Sequence, residues 1–462
     1  MGRAPRYSLA MADAQRIIQP RTLKGFRDSL PVPMLAREEL LSQVRGVFRA
    51  HGYCPFDTPA LEYTEILLGK GSAESDRQMY RFTDNGGRDV ALRFDLTVPL
   101  ARFMAQHAGG LGVPFRGYHI GSVWRGENTQ RGRYREFMQC DFDAIGTQSV
   151  VADVETLLVI HDLLDTLGVG EFTIRINSRE VLGGVLETAG LSGESAPLLR
   201  ALDKLDKIGR EGVAAEMQAE AGVSAAQAER VLSLAELSGT AGDVLAGLAE
   251  LVGEHEGGRR GLGRLGEIVA AAEAGGVVGS RLAVTPAIAR GLDYYTGVVF
   301  ETTLDDLPDI GSVCSGGRYD DLAGLYTKQR LPGVGASLGL DRLLAAMEEL
   351  GQIQGRSTSA PVFMALFDED RLHDYLSLAA ELRRAGIGCE VHTEAKKLGA
   401  QLKYADRRGF QVALVIGGRE WEAGVCQVKT LASGASAEFE LKTLAADLAR
   451  LLAELGAAQA GA

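Results

Sequence analysis

The chain predicts an α+β fold: an antiparallel sheet flanked by helices, interrupted by a helical insertion and followed by a small α/β domain. Three observations carry this expectation. Two pairs of strand-like runs fold back on polar turns, residues 182–281 lose their β-branched runs, and residues 361–455 alternate strand and helix patterns. At 462 residues, a prior of roughly 150 residues per domain gives about three domains.

In chain order, residues 1–20 lack the apolar core of a secretory signal. Arg3, Arg6 and Arg16 against the single acid Asp13 give a faint transit-peptide character; a flexible extension and a true start at Met11 are the other readings. From Pro33 to His51, the residues Leu40, Leu41, Val44, Val47 and Phe48 recur at helical spacing, and Pro33 suits a first turn. GYCPFDTPALEYTEIL reads as extended, because Pro55 and Pro59 restrict the residues before them. RQMYRFTD and RDVALRFDLT flank a turn at Asp84 to Gly87 and predict an antiparallel hairpin. PFRGYHIGSVWRGE and REFMQCDFDAIG predict a second, joined by the loop NTQRGRY. An amphipathic helix over Val154 to Leu167 and a strand EFTIRINS complete a first part, 21–181. Residues 182–281, rich in Ala, Leu, Glu and Gly, form the helical insertion. Strand-like motifs resume at RLAVTPAIARGLDYY within a second part, 282–350, and GQIQGRSTSAP marks a linker at 351–360. Residues 361–455 run strand PVFMALF, helix LHDYLSLAAELRRAG, strand CEVHT, helix KLGAQLKYADRRG, strands QVALVIGG and GVCQVKTL, then helix LAADLARLLAEL, the pattern of a mainly parallel sheet.

Bulk properties narrow the function. Hydrophobic residues are 46% and charged residues 24%, ordinary for a soluble globular protein. No run approaches the ~20 apolar residues needed to span a bilayer, so a cytoplasmic protein with no membrane contact is expected. Cys54, Cys140, Cys314, Cys389 and Cys426 never form CxxC, which argues for a reducing compartment and against structural zinc. A net charge of −12 excludes a generally basic nucleic-acid binder, although an acidic body can carry a local basic face. Gly261, Gly263 and Gly266 spell GxGxxG, but GEHEGGRR before them is no strand, so they mark no dinucleotide site. No P-loop GxxxxGK[ST] is present.

Arg125, Arg290 and Arg342 each stand beside an expected strand or helix end. Arginine meets phosphate bidentately and keeps its charge at any working pH, so three in one pocket suggest a polyphosphate whose transferring group is neutralised. Pairing with surface acids is the alternative for any one of them.

RGLDYYTGVVFE (Arg290 to Glu301) and CSGGRYDDL (Cys314 to Leu322) resemble the two histidine-recognition signatures of histidyl-tRNA synthetases, a family of class II aminoacyl-tRNA synthetases. FRGYHIGSVWRGE with REFMQCDFD resembles class motif 2, GVGASLGLDRL motif 3, and the helix leading to Pro59 motif 1. The likeness runs from KGFRDSLP to near Leu452. It implies a class II antiparallel sheet with a C-terminal anticodon-binding domain. The implied activity is a histidine–tRNA ligase: L-histidine and ATP give histidyl-adenylate and pyrophosphate, and the histidyl group then passes to the 3′ end of histidine tRNA, releasing AMP. Mg2+ is expected with ATP, and a homodimer is expected through motif 1; the stripe from Leu40 to Phe48 suits that interface or plain core packing equally. HIGS at His119 to Ser122 echoes a class I signature but falls in mid-strand, with no KMSKS-like partner.

Residue by residue, the resemblance implies that Arg125 grips the α-phosphate and the substrate carboxylate, with Arg290 on the opposite side, where other class II enzymes use a metal. Arg342 and Arg133 would hold the β/γ end, Phe137 and Arg342 would sandwich adenine, and Glu127 would accept from the adenine amino group. Asp95, Thr97 and Gln139 fall to the α-amino end, and Asp143 with Tyr295 to the ring nitrogens, with Tyr294 and Tyr319 lining the pocket. Tyr294 and Tyr295 are adjacent on an expected strand, so only one would be central. Asp95 stands in RFDLT where many bacterial members have RPEGT; RFDLT and QCDFD resemble the eukaryote-like branch. Arg131 and Arg133 correspond to a loop that approaches the tRNA acceptor end. Lys396, Lys403 and Arg407, seven and four residues apart, would form one helix face for phosphate backbone, or a solvated surface. Metal ligands stay unassigned, and Cys140 and Cys314 are read as packing.

Three rivals follow. One is a catalytically inactive regulatory paralogue of ATP phosphoribosyltransferase, which predicts eroded signatures and no anticodon domain. Another is a tRNA-sensing module of a stress kinase, whose Gly-rich loop, HRD and DFG are missing here. The last is a different class II amino-acid specificity.

Overall fold

The protein was described from a computed structural model, which covers residues 18–69, 78–129, 132–191, 195–202, 204–288, 294–353 and 357–460. The first helix spans Pro31–Ala50, with proline in its opening turn. Its stripe of Leu40, Leu41, Val44, Val47 and Phe48 is buried in the chain's own core, against Tyr118, Phe142 and Leu157 among others, so core packing accounts for it. Two short strands follow, β1 (Cys54–Pro55) and β2 (Leu61–Tyr63), but TEILL forms a helix, Thr64–Leu68, where extended chain was expected. Strands β3 (Arg81–Thr83) and β4 (Asp89–Leu92) form the first hairpin, and β2 adds to it as a small three-stranded sheet. The Asp84 carboxylate accepts from the amides of Gly86 and Arg88 and closes that turn.

The large sheet holds β1, β5 (Phe115–Trp124), β6 (Glu136–Ile145), β7 (Phe172–Ser178), β8 (Leu282–Val284), β9 (Val298–Leu304), β10 (Cys314–Tyr319) and β11 (Gly333–Gly339), in the order β1-β5-β6-β11-β10-β9-β7-β8. Every internal pairing from β5 to β7 is antiparallel, and only the edge pairs β1/β5 and β7/β8 are parallel. Side chains alternate faces along a strand. One face of β6, β10 and β11 carries Cys140, Phe142, Ala144, Cys314, Val334, Ala336 and Leu338 into the helix-covered core. The opposite face carries the cleft.

The described elements between Arg179 and Arg281 are all helical. Their buried residues, including Met217, Val231, Leu248 and Ile268, join the same core as the sheet. The GxGxxG triplet lies inside the helix Glu256–Ala274, where Gly261 lets that helix approach Ser178 and Glu180 closely.

The C-terminal sheet has the order β13-β12-β14-β15-β16, from β12 (Val362–Met364), β13 (Cys389–Val391), β14 (Val412–Val415), β15 (Val425–Thr430) and β16 (Ser436–Glu440). The pairings of β12 with β13 and with β14 are parallel, but β14/β15 and β15/β16 are antiparallel, so the sheet is evenly mixed rather than mainly parallel. Strand β16 was missed because SAEFE is short and mostly exposed, leaving too weak an apolar alternation to read. Its core, with Tyr375, Leu378, Leu414 and Cys426, is separate from that of the large sheet.

Candidate active site

The cleft is hollow because one face of β11 is small. Along β11 the residues Gly333, Gly335, Ser337 and Gly339 alternate with Val334, Ala336 and Leu338, so the small side chains share the open face. A Cβ at Gly335 would overlap the Asp143 carboxylate, and one at Gly333 would overlap the Tyr319 ring. These glycines admit the recognition side chains. The signal was present in GVGASLG and went unread.

One half of the cleft is cationic. Arg125, Glu127, Arg133, Phe137, Gln139, Ser312, Ser337 and Arg342 line it together. Arg125 donates from Nε to the Phe94 carbonyl at 2.9 Å, which fixes the direction of its guanidinium. Arg342 leaves the first turn of the helix Leu340–Glu349 and donates to the Ser312 carbonyl. Burial, with the charges of Arg133 and Arg125 adding to it, lowers Arg342 to about 10. Crowded guanidinium groups of this kind favour an anion between them. Glu127 sits 3.7 Å from Arg125 and 3.9 Å from Arg133. Arg125 also lies over the Phe137 ring, at 5.2 Å from its centroid. Arg290 and Arg131 lie outside the described residues.

The other half is acidic and aromatic. Asp95, Thr97, Gln139, Asp141, Asp143, Tyr294, Tyr295 and Tyr319 line it, and Arg125, Arg133 and Arg342 border it too. Asp95 precedes the helix Thr97–Leu111 and accepts from the Val98 amide at 3.2 Å, and its other oxygen, Oδ2, is buried with no hydrogen-bond partner among the described residues. The Tyr319 hydroxyl donates to Asp143 at 2.5 Å. Burial pushes Asp95 up to about 6 against the opposing pulls of that amide and Arg125. Burial likewise lifts Asp143 to about 7, although the Tyr319 hydrogen bond opposes it. Asp141, unassigned by sequence reasoning, is driven well above the carboxylate range by burial and then by Asp143.

Two expectations are corrected here. Tyr294 and Tyr295 are not on a strand, because the chain joins the sheet only at Val298, after a bend in which the Thr296 amide donates to the Arg318 carbonyl. Alternation therefore does not apply, and both rings line the cleft, 5.1 Å apart, with Tyr319 5.8 Å from Tyr294. Lys396 is not on the helix of Lys403 and Arg407, which begins at Leu398; it lies in the preceding loop, paired with Glu394 at 2.6 Å, and its carbonyl accepts from the buried Gln401. Lys403 and Arg407 are both exposed on that helix. Cys140 and Cys314 are buried, and burial raises both thiols far above their ordinary range, which suits packing.

Supporting contacts went unread as well. Arg27 stacks on Tyr134 at 3.8 Å and, with Arg37, donates to Asp341, which also accepts from the Met138 amide at 2.7 Å. This ties KGFRD, β6 and the helix of Arg342 together. Behind Tyr319, buried Arg318 pairs with Asp153 at 2.7 Å, and Arg264 from the helical stretch reaches the same carboxylate. Long-range ion pairs leave no periodic trace in sequence.

A family model described as histidyl-tRNA synthetase matches residues 25–343, and one described as anticodon binding domain matches residues 361–451. A histidine–tRNA ligase of Rhodopirellula baltica is 62% identical over 417 residues, 90% of this chain and 94% of that protein. One of Wolinella succinogenes is 47% identical, covering 91% of this chain and 96% of the relative. The crystal structure of histidyl-tRNA synthetase from Nostoc sp. PCC 7120 superposes with a TM-score of 0.86 at 33% identity, over 94% of this chain and all of that one, 100%. With a family model spanning the whole large sheet and relatives matched nearly end to end, the chain belongs to the histidyl-tRNA synthetase family.

Proposed function

We propose that this chain is a histidine–tRNA ligase: it activates L-histidine with ATP and passes the histidyl group to the 3′ end of histidine tRNA. The observation that carries the reading is a single cleft in which Arg125, Gln139 and Arg342 border both an arginine-lined half and a carboxylate-and-phenol half. The first suits a triphosphate, the second a small amphoteric amino acid with ring N–H groups.

The histidine carboxylate oxygen attacks the α-phosphorus, a phosphorus–oxygen bond forms to it, and the bond to the bridging oxygen breaks as pyrophosphate leaves. No proton moves in that step, so alignment and charge neutralisation carry the rate. In this reading Arg125 takes the α-phosphate and carboxylate, and Arg290 the opposite side of that phosphate. Arg133 and Arg342 hold the outer phosphates, Phe137 and Arg342 sandwich adenine, and Glu127 accepts from its amino group in this reading. Asp95, Thr97 and Gln139 take the ammonium; Asp143, Tyr294, Tyr295 and Tyr319 take the ring. Transfer then forms an ester with a tRNA terminal hydroxyl and releases AMP. Mg2+ is expected to accompany ATP. Among the described residues no group of three His, Cys, Asp or Glu could hold an ion unaided, so such an ion would rest chiefly on phosphates and water. A homodimer, a cytoplasmic location, and tRNA contacts at Arg131, Lys403 and Arg407 belong to the same reading. No helix among the described residues is long and apolar enough to cross a membrane.

ATP–pyrophosphate exchange tested with each of the twenty amino acids should respond to histidine alone. Exchange with none would favour the regulatory paralogue, which the 62% identical ligase does not support.

A further inference from the structure

Arg318 and Tyr319 are neighbours on β10, so one step along the strand sends them to opposite faces of the sheet. Tyr319 enters the acidic half of the cleft and donates to Asp143. Arg318, opposite Val334 in the β10/β11 register, is buried on the helix-covered side. There its Nε and Nη2 meet one oxygen of Asp153 at 2.9 and 2.7 Å, and its Nη1 donates to the Thr147 carbonyl at 2.9 Å. Asp153, fully buried, stands in the first turn of the helix Val150–Leu167. Its other oxygen accepts from Nε of Arg264, on the helix Glu256–Ala274, and Arg264 also donates to the Gln148 carbonyl at 2.9 Å. Arg318 holds the bend before β9 as well. The Thr296 amide donates to the Arg318 carbonyl at 2.7 Å, and the Thr296 hydroxyl donates at 3.0 Å to Asp320, whose other oxygen lies 3.4 Å from Arg318 Nη1. The packing there is close: a Cβ at Gly297 would stand 3.0 Å from the Arg318 stem, and one at Gly317 would stand 2.9 Å from the Tyr295 ring.

We propose that Asp153 and Arg264 are positioning residues for histidine recognition: through Arg318 they set the place of Tyr319 and of the bend that carries Tyr294 and Tyr295. The helical insertion thereby bears on the amino-acid pocket without touching the substrate. The reasoning turns on balance. Two guanidinium groups from two different elements grip one buried carboxylate, each on its own oxygen. Without Arg264 that buried charge is left undercompensated, so Asp153 and Arg318 settle anew, and the groups tied to Arg318 follow. Tyr319 is its chain neighbour, and Thr296 lies next to Tyr295. Among the described residues, none of the hydrogen-bond partners of the Arg318 side chain lines the arginine-lined half. The disturbance should therefore reach histidine and spare ATP. The inference rests on the ligase reading, which supplies histidine as the ligand.

Arg264→Ala is the sharp test, because its side chain is 25% exposed and its loss leaves the Arg318–Asp153 pair in place. In histidine-dependent ATP–pyrophosphate exchange it should raise the KM for histidine by about 2- to 30-fold, the range for residues that act on a site through others, with the KM for ATP unchanged. Affinity for histidinol, which keeps the ammonium and the imidazole, should fall by a similar factor. Arg264→Lys, which returns a cation to Asp153, should recover most of the loss. Asp153→Asn should act more strongly; if it fails to fold, the Arg264 variants carry the test. Thr296→Val cuts the path at its other end, at Asp320, while keeping the side-chain shape. Because both changes break one path, Arg264→Ala with Thr296→Val should cost no more than the worse of the two alone. A lower melting temperature with an unchanged KM for histidine would make the cluster a plain structural ion pair and overturn the proposal. So would equal rises in the KM for histidine and for ATP, or losses that simply multiply in the double variant. Each of those results leaves the ligase reading standing. A wild-type protein with no histidine-dependent exchange removes that reading, and this inference with it.

Discussion

The two halves of the cleft solve opposite problems with opposite solvation. In the cationic half, Arg125 and Arg133 keep side-chain exposures of 28% and 50%. In the acidic half, Asp95 and Asp143 are only 2% and 4% exposed. A triphosphate carries enough charge to be held at a partly wet surface, because guanidinium forks work through both hydrogen bonds and field. An imidazole offers little charge and must be told from other small rings. That takes hydrogen bonds whose loss is felt, which means groups removed from water. Rate should therefore reside in the exposed half and selectivity in the dry one.

The largest expected effect tests the first part of that contrast. Arg125→Ala should lower the rate of histidyl-adenylate formation by ~10²–10³, as for other removed charge-stabilising donors, with a smaller change in histidine affinity. Single-turnover adenylate formation measures it directly. A variant that activates histidine at a near-normal rate would break the assignment. In the dry half, Asp143→Asn and Tyr319→Phe should instead act on recognition. Tyr319→Phe removes the donor of the 2.5 Å hydrogen bond between them and Asp143→Asn replaces its acidic acceptor with a neutral amide, and the KM for histidine should rise by about 10- to 100-fold. If either variant changed only the turnover number, the division of labour between the halves would be wrong.

The same contrast explains what was legible in the sequence. Arg125, Arg342, Asp95 and Asp143 were readable because they sit inside ordered motifs, and strands β5, β6 and β7 because their apolar periodicity is strong. Ser337, Gly335 and Asp141 were not, since a hollow is written as small residues alternating with core residues, a pattern ordinarily read only for its apolar half. The Arg27–Asp341 and Arg318–Asp153 pairs join residues hundreds or scores of positions apart, and no local rule links them. Tyr294 and Tyr295 failed for another reason: a period-2 rule was applied one turn before the strand begins at Val298.

Acidity should separate the halves more gently. Burial raises the buried acids above their ordinary range, Asp95 to about 6 and Asp143 to about 7. In the ligand-free protein the folded state thus holds these protons more tightly than the unfolded chain does. Their contribution to stability is fullest below the ordinary carboxylate range, about 4, and is lost as pH rises through 6 and 7. A cationic ligand reverses the sense, since it binds the ionised acids and expels their protons. Histidinol affinity should fall about tenfold per pH unit at most for each coupled proton as pH drops through that window. Calorimetry in two buffers of different ionisation enthalpy should record proton release. Because the imidazole of the ligand also titrates there, the informative quantity is the difference between wild type and Asp143→Asn, whose release should be smaller. Equal release from both would detach Asp143 from the effect. Arg342, lowered only to about 10, keeps its charge throughout, so any change in ATP affinity across the same range should follow the terminal phosphate, which titrates at about 6, and be equal in wild type and Asp143→Asn.

The smallest expected effect lies outside the cleft, on the helix Leu398–Arg408, and it extends the contrast to a fully exposed surface. Lys403 and Arg407 are four residues apart and so share one face. On an acidic body such a pair would act on tRNA through its phosphates, not through shape. Removing one cation that meets a phosphate should lower the dependence of log affinity on log salt by about 1. Replacing both with glutamate should therefore raise the KM for histidine tRNA several-fold at low salt, with the difference shrinking as salt rises, while histidine-dependent pyrophosphate exchange is untouched. Lys396, already paired with Glu394 in the loop before that helix, should matter less than either when changed alone. A double variant that charges tRNA normally at low salt would make the face a solvated surface and nothing more. One whose exchange activity fell in equal measure would instead tie this domain to the integrity of the cleft.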